Sequence, residues 1–405
     1  MTHQHEPLRT VSQNAARKAV RMRCSTITFC FAVSILVHEL APAALIARQQ
    51  RQTYLIDHHV PSRPENLRWG WFPIDAPPIL TIQSGQTVRV ETISSAGTTQ
   101  DEHPAIFLEP YGVKRDEILQ DVLDFWAAKA QEDHPGRGPH ILTGPIYVDG
   151  AEPGDMLEVQ ILDIDTRVAY GINNTNPTGG VFDAAYPGSR PGDPAPDIPA
   201  GTRHVIRTGM AGGREVALFA ENIHVPLAPF MGVMAVAPRD PTVGQPGVTV
   251  AGVQGSRPPG AFGGNMDLRD LTIGSTLYLP VFHRGAQFYV GDPHSAQGDG
   301  EVSGTAIEQS LTGFFRFIVH KGRTIAGPRA ETSSHYILMG IDLHLDRALR
   351  MATLEVVNFL VTDKKLTPAK AFSLASIAVD FHVAEAVDLT QLVSGKIPKN
   401  LFLTK

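Results

Sequence analysis

Apolar and polar residues alternate with a period of two in several stretches before residue 340, and glycine-centred corners interrupt the alternation. Residues 79–93 (ILTIQSGQTVRVETI) predict two short strands around Ser84-Gly85. Residues 145–163 (PIYVDGAEPGDMLEVQILD) repeat the pattern around Pro153-Gly154-Asp155, and residues 271–281 (LTIGSTLYLPV) repeat it around Gly274. Glycine takes the positive φ that such a corner needs, and the alternation that follows marks a half-buried strand. The corners are unevenly spaced, which argues against a repeat array. They read as the corners of a β-sandwich or barrel.

The period changes to 3.6 in a few places. Residues 115–132 (RDEILQDVLDFWAAKAQE) predict one amphipathic helix with Ile118, Val122, Phe125 and Trp126 on one face, stopped by Pro135 and Gly136. Residues 345–361 predict a second helix. Thr367-Pro368 has the form of an N-cap with proline at the first helical position, opening a third helix to about Val387. Residues 171–202, full of Gly, Pro, Asn and Asp, predict a long loop of the kind that is often functional. The chain is therefore expected to be mainly β to about residue 340, with a helical C-terminal segment after it.

The N-terminus carries a different pattern. Four positive charges in residues 15–23 (AARKAVRMR) precede a 14-residue apolar run, 24–37 (CSTITFCFAVSILV), and Ala41-Pro42-Ala43 supplies an A-x-A cleavage site. This reads as an export signal over residues 1–43, with Met22 as an alternative start, and as a periplasmic or secreted protein. The run is shorter than the ~20 residues of a spanning helix. An uncleaved anchor and a buried core helix are the competing readings, and membrane contact is expected only through an uncleaved signal. The absence of an Arg-Arg pair points to the general secretory route.

Composition narrows the function. The 405 residues carry 35 Lys+Arg against 41 Asp+Glu, a net charge of −6, which disfavours a general nucleic-acid binder. Hydrophobic residues make up 42%, enough for a real core. Gly 37 and Pro 31, spread along the chain, fit a turn-rich β fold. Both cysteines, Cys24 and Cys30, fall in the signal. A mature chain without thiols excludes a disulfide scaffold, a Cys-ligated zinc site and a cysteine nucleophile. A G-x-S-x-G elbow, a P-loop and H-E-x-x-H are all absent.

Candidate chemistry concentrates between residues 263 and 308. Asp292, His294, Asp299 and Glu301 fall within ten residues, with Gly291, Gly298 and Gly300 among them. Asp292 and His294 are two apart, as are Asp299 and Glu301, so on extended chain each pair faces one way. One imidazole with several carboxylates suits Zn²⁺ or a harder divalent ion and leaves carboxylates for acid–base work. A glycine-rich hairpin with solvated carboxylates is the plain alternative. A second cluster holds His140, Glu152 and Asp155, of which Pro153-Gly154-Asp155 also fits an ordinary turn. His103, before Pro104, reads as structural.

Five stretches resemble the acetamidase/formamidase family: HILTGPIYVDGAEPGDMLEVQILDI (140–164), PLAPFMGVMAVAP (226–238), GGNMDLRDLTIGSTLYLPV (263–281), GDPHSAQGDGEVSGTAIE (291–308) and LASIAVDFHVAEAVD (374–388). They occur in the family's order and span most of residues 75–400, so residues 44–405 are expected to form one domain of this kind. The resemblance implies a β-rich fold with jelly-roll-like and barrel-like parts plus helices. It implies hydrolysis of short linear amides to a carboxylate and ammonia, and an association with divalent ions, zinc first and calcium as an alternative. The family usually has glycine where Pro293 stands and often cysteine where Ser303 stands, and its members are usually cytoplasmic.

The chemistry of amide hydrolysis then assigns roles. Asp267, Asp292 and His294 are the ligand candidates, Glu301 the general base and Glu152 its reserve. Asn265 is placed to hold the developing oxyanion or the amide. His140, Asp155 and Asp299 are secondary candidates. The expected partner is a small amide; no nucleic acid is expected, and a homo-oligomer is compatible with the sequence. Two alternatives stand beside this reading: an exported hydrolase of a larger or cyclic amide, and a binding protein that kept the fold without catalysis.

Overall fold

The computed structural model describes residues 54–129, 135–186, 189–190 and 197–403. The predicted export signal, with Cys24 and Cys30, lies outside the described residues. The first strands are β1 (His58–Val60), β2 (Leu67–Trp69), β3 (Leu80–Ile82), β4 (Thr87–Glu91), β5 (Ile141–Val148) and β6 (Met156–Thr166). They are followed by β7 (Tyr170–Thr175), β8 (Thr202–Ala211), β9 (Arg214–Ala220), β10 (Ile223–Pro226), β11 (Phe230–Ala235) and β12 (Gly263–Asn265). The last are β13 (Thr276–Pro280), β14 (Phe288–His294), β15 (Leu311–His320), β16 (Arg329–Glu331), β17 (His335–Asp342), β18 (Asp380–Asp388) and β19 (Thr390–Pro398). Four α-helices accompany them among the described residues: α1 (Pro104–Leu108), α2 (Gln120–Lys129), α3 (Leu345–Thr362) and α4 (Pro368–Ala378).

Two sheets face each other across one core. The larger runs β1-β4-β15-β6-β13-β16-β17-β19-β18, and the smaller runs β12-β11-β14-β5-β2 with β3 beside β5. Val88, Val159, Phe315 and Phe317 of the first meet Leu142, Val233, Phe288 and Val290 of the second, all fully buried. The Phe288 and Phe317 rings pack edge to face at 5.0 Å. Burying each such side chain contributes roughly 1.5–3 kcal/mol. A four-stranded sheet, β10-β9-β8-β7, stands beside this sandwich.

The mainly β sandwich agrees with the corner pattern, but the barrel-like part does not appear: no sheet closes on itself among the described residues. A barrel needs its first and last strands to pair. Here the edges β1 and β18 stay apart, and the two sheets satisfy their inner faces by packing on each other. The corner at Gly274 also differs from expectation, because residues 271–273 form no strand. Leu271 and Ser275 close local turns onto Leu268 and Thr272, and β13 starts only at Thr276.

The helices and the long loop need three corrections. Residues 115–117 form a 3-10 turn, because Glu117 accepts from the Lys114 N–H at 2.8 Å and is held by Arg207. Ile118 therefore leaves the turn in extended geometry, although it is buried, and α2 begins at Gln120. The predicted loop 171–202 starts as strand β7. Thr367 does cap α4 and Pro368 is its first residue, but that helix ends at Ala378. Beyond it, residues 380–388 pair with β19 along their length, so cross-strand pairing overrides local helix propensity there. The C-terminal segment is thus two helices followed by a β-hairpin that completes the large sheet. Gly340 on β17 lets α3 approach: a Cβ there would lie 2.1 Å from the Ala348 carbonyl oxygen.

Candidate active site

The site lies where β11, β12 and β14 run side by side, roofed by the loop after β14 and by the turn of the β18–β19 hairpin. Register puts Phe230 opposite His294 and Val233 opposite both Gly291 and Asn265. Asp292 and His294 share a strand face, as their spacing predicts, and that face also meets Asp267, two residues beyond β12. Three carboxylate residues here have left-handed backbone: Asp267 (φ 43°), Asp292 (φ 52°) and Glu301 (φ 44°). Such φ values are uncommon outside glycine and cluster at functional sites.

His294 sits at the centre. Its Nε2 lies 3.2 Å from Asp292 Oδ2 and 3.2 Å from Glu308 Oε1, and its Nδ1 lies 3.5 Å from Asp267 Oδ1. Gln297 decides the ring's protonation pattern. Its Nε2 donates to the Asp267 carbonyl at 2.8 Å, which leaves Oε1 to accept from His294 Nδ1 at 3.0 Å. Nε2 therefore faces two carboxylates and makes no well-directed hydrogen bond to either. His140 repeats the arrangement from β5's leading edge: Nδ1 is held by Ser256 at 3.0–3.2 Å, and Nε2 points to Asp292 Oδ2 from 3.8 Å.

The remaining carboxylates complete a buried acidic pocket. Asp388, at the end of β18, accepts from Asn265 Nδ2 at 2.7 Å and lies 3.4 Å from Arg257 Nε. Glu385 accepts from the Asp388 N–H at 2.6 Å and from the Val387 N–H. Burial, then the charge of Glu301, pushes Asp267 well above the usual carboxylate range. Burial likewise raises Glu301, Glu308, Glu385 and Asp388. For Asp292 burial works upward too, but His294 and His140 outweigh it and bring the carboxyl down to about 2. Burial disfavours a charged His294, yet Glu308 and Asp292 together hold its pKa well above the usual value.

The donor set fits a divalent cation. Asp267 has both oxygens buried without a hydrogen-bond partner, and Asn265 Oδ1 and one oxygen each of Glu308 and Glu385 are in the same condition. Orphaned buried oxygens are destabilising unless something positive meets them. Three overlapping trios each bring ligand atoms within 4.8 Å: Asp267/Asp292/His294, His294/Glu301/Glu308 and Asp267/Glu301/Asp388. Gly232 on β11 keeps the space open, since a Cβ there would lie 2.4 Å from Asp267 Oδ1 and 2.6 Å from Asp292 Oδ2.

The structure brings together Asp267, Asp292, His294, Glu301, Asn265 and His140, and leaves three candidates outside. Glu152 pairs with Arg284 at 3.1 Å on an exposed corner, so it is no reserve base for this cluster. Asp155 is turn chemistry: Lys321 and the Gly322 and Glu152 N–H groups satisfy it. Asp299 is turned away to His382 at 3.2 Å. His103 accepts from the Ala105 N–H at the start of α1, a structural role. Glu308, Asp388, Glu385, Gln297 and Gly232 were not singled out by spacing. Glu308 and Asp388 close two of the family-like stretches, which is the one signal that pointed to them. Glu301 and Gln297 also line a cavity of about 560 Å³ that opens outward.

The model of the acetamidase/formamidase family matches residues 132–245 and 242–404. The formamidase of Methylophilus methylotrophus is 27% identical over 58% of this chain and 58% of its own length. The acetamidase of Mycolicibacterium smegmatis is 33% identical over 40% of this chain and 49% of its own. The chain spans 49–60% of the length of the curated relatives it matches. The crystal structure of an acetamidase from Bacillus halodurans superposes with a TM-score of 0.65 at 26% identity, covering 85% of this chain and 98% of that one. Among the described residues no helix is long and apolar enough to cross a membrane. With a family model spanning both the sandwich and the closing hairpin, and the acidic–histidine cluster inside the matched region, this chain belongs to the acetamidase/formamidase family.

Proposed function

We propose that the protein hydrolyses linear amides to a carboxylate and ammonia with a divalent metal, zinc in the first instance. The observation that carries this is the set of buried, unpartnered oxygens on Asp267 and Glu308 gathered around His294. Asp267, Asp292 and His294 would hold the ion, which would polarise the amide carbonyl and lower the pKa of water towards ~7. Glu301 takes a proton from the attacking water as its oxygen bonds to the carbonyl carbon. The same carboxyl returns that proton to the nitrogen as the C–N bond breaks and ammonia leaves. Burial and the facing carboxylates raise its proton affinity, which suits a group that must both take and return a proton. Gln297 and Ser256 hold the two imidazoles so that each presents Nε2 to the site. Asn265 donates to Asp388 and keeps Oδ1 free, so it suits the substrate's amide N–H better than an oxyanion.

The test is ammonia release from formamide and acetamide by the purified full-length protein, with metal analysis on the same sample. Turnover that a chelator abolishes and zinc restores is the expected result. A metal-loaded protein that releases no ammonia from any linear amide overturns the reading. We further propose export, with cleavage near Ala43, on the charge and apolar pattern of residues 15–43. N-terminal sequencing of protein from the native host should begin close to Ala44, and an intact N-terminus in the cytoplasm would sink this idea.

A further inference from the structure

The cavity outside the cluster differs from it in chemistry. Its walls are mostly apolar, built by Ile206 on β8, Phe219 on β9, Val225 on β10 and by Val302, Ala306 and Ile307 of the loop after β14, with Asn173, Ser303 and Thr305 among them. Ile206, Ala296 and Ile307 belong to one buried cluster with Ala217, so this wall is fixed by packing. Phe219 and Val302, by contrast, are 49% and 58% exposed, and both line the cavity. Two of its charged side chains, Arg269 and Asp299, are exposed, and Asp299 is paired with His382. The floor is polar, where Glu301 and Gln297 connect it to the acidic cluster.

Size bears on this. At the ~30 Å³ that a water molecule occupies per heavy atom, four-atom acetamide fills on the order of 120 Å³. The cavity offers about 560 Å³, within the usual range of pockets that enclose a whole ligand. Acetamide seated at Glu301 would leave most of the apolar wall facing water.

We propose that this cavity receives the aliphatic acyl chain of a primary amide, making the substrate class carboxamides longer than acetamide, roughly four to eight carbons. Ile206, Phe219, Val225 and Ile307 are the specificity-determining contacts. The inference rests on the amide-hydrolase reading above. The direction of the chain follows from that chemistry: the leaving nitrogen must stay within reach of Glu301, so the acyl substituent is the one free to enter the cavity.

The experiment measures kcat/KM of the metal-loaded full-length protein on formamide, acetamide, butanamide, hexanamide and N-butylacetamide. Calorimetric titrations with hexanoate and acetate run alongside and do not depend on turnover. Each methylene entering an apolar wall is worth about fourfold, so hexanamide, with four more of them, should exceed acetamide by up to about 250-fold. Val225→Trp fills the cavity and should lower hexanamide turnover at least ~10-fold more than it lowers acetamide turnover. Phe219→Ala, at an exposed position, should give a loss of a few-fold on hexanamide alone. Hexanoate should bind the wild type more tightly than acetate and lose that advantage in Val225→Trp. Equal turnover of acetamide and hexanamide, or a preference for N-butylacetamide, overturns the proposal. If no amide is hydrolysed, the hydrolase reading fails by itself. The cavity is then judged on hexanoate, whose failure to bind better than acetate overturns its assignment as an acyl-chain site.

Discussion

Asp267, Asp292 and Glu301 share left-handed backbone, a conformation that costs on the order of 1–3 kcal/mol per residue when no glycine relieves it. Each of these turns aims a carboxylate inward, against its like-charged neighbours, so the arrangement is stable only while the surrounding strands hold it. Gly232→Ala tests that economy of space. Its methyl would occupy the gap between Asp267 and Asp292, and we expect metal content to fall below about a tenth of wild type while the far-UV circular dichroism is unchanged. A fully loaded Gly232→Ala protein would show that the ion sits elsewhere. Glu301→Gln should retain metal through Asp267, Asp292 and His294 but lose at least ~10²-fold in kcat, the usual scale for a positioned acid–base group. Glu152→Gln should stay near wild type, because that side chain is paired with Arg284 at an exposed corner. If the two variants fall equally, Glu301 is not the base. Sequence reached Asp267, Asp292, His294 and Glu301 because they lie within one glycine-rich stretch. It passed over Glu308, at the end of that same stretch, and Asp388, because their contacts with His294 and Asn265 arise through sheet geometry rather than through spacing.

At the scale of elements, period and punctuation were legible where the partner was local. Thr367-Pro368 marked the start of α4 correctly, and Ser84-Gly85 separated β3 from β4 as expected. The errors arose where a distant partner decided. Arg207 on β8 helps hold Glu117 and so fixes where α2 begins, and β19 turns residues 380–388 into a strand. The seat of α3 on the sheet depends on bare backbone at Gly340, where any side chain would strike the helix. Gly340→Ala should destabilise the protein by about 1–3 kcal/mol through overpacking, read as a lower midpoint in a denaturant titration. Stability within a few tenths of wild type would mean that helix and strand part easily.

For the molecule as a whole, the acidic cluster ties stability to pH and, on the proposed metal-dependent reading, to the ion as well. Asp267, Glu301, Glu308, Glu385 and Asp388 all have raised pKa values in the fold. Above the ~4 of an unfolded carboxylate, the folded state thus binds more protons than the unfolded one. Stability then falls as pH climbs through the raised values. His294, also raised, acts in the same direction. Asp292, lowered to about 2, opposes them only in acid, where its contribution is lost as pH falls below ~4. Chelator-treated protein should therefore melt at lower temperature at pH 8 than at pH 6, and zinc should restore more at pH 8. Zinc uptake should release protons, seen as a buffer-dependent calorimetric heat. A chelated protein that melts higher at pH 8, with no proton release on loading, would contradict this. The strand order bears on how the protein is made. Strand β6 lies between β13 and β15, yet 110 residues separate Thr166 from Thr276. At a translation rate of about 5–20 residues per second, β6 waits roughly 6–22 s for its first lasting neighbour. Leu157, Val159 and Ile161 lack their in-sheet neighbours for that interval, and the carboxylate of Asp388 reaches the site only with the β18–β19 hairpin. Until the β18–β19 hairpin joins the sheet the acidic cluster lacks Asp388, so any ion capture comes after that pairing.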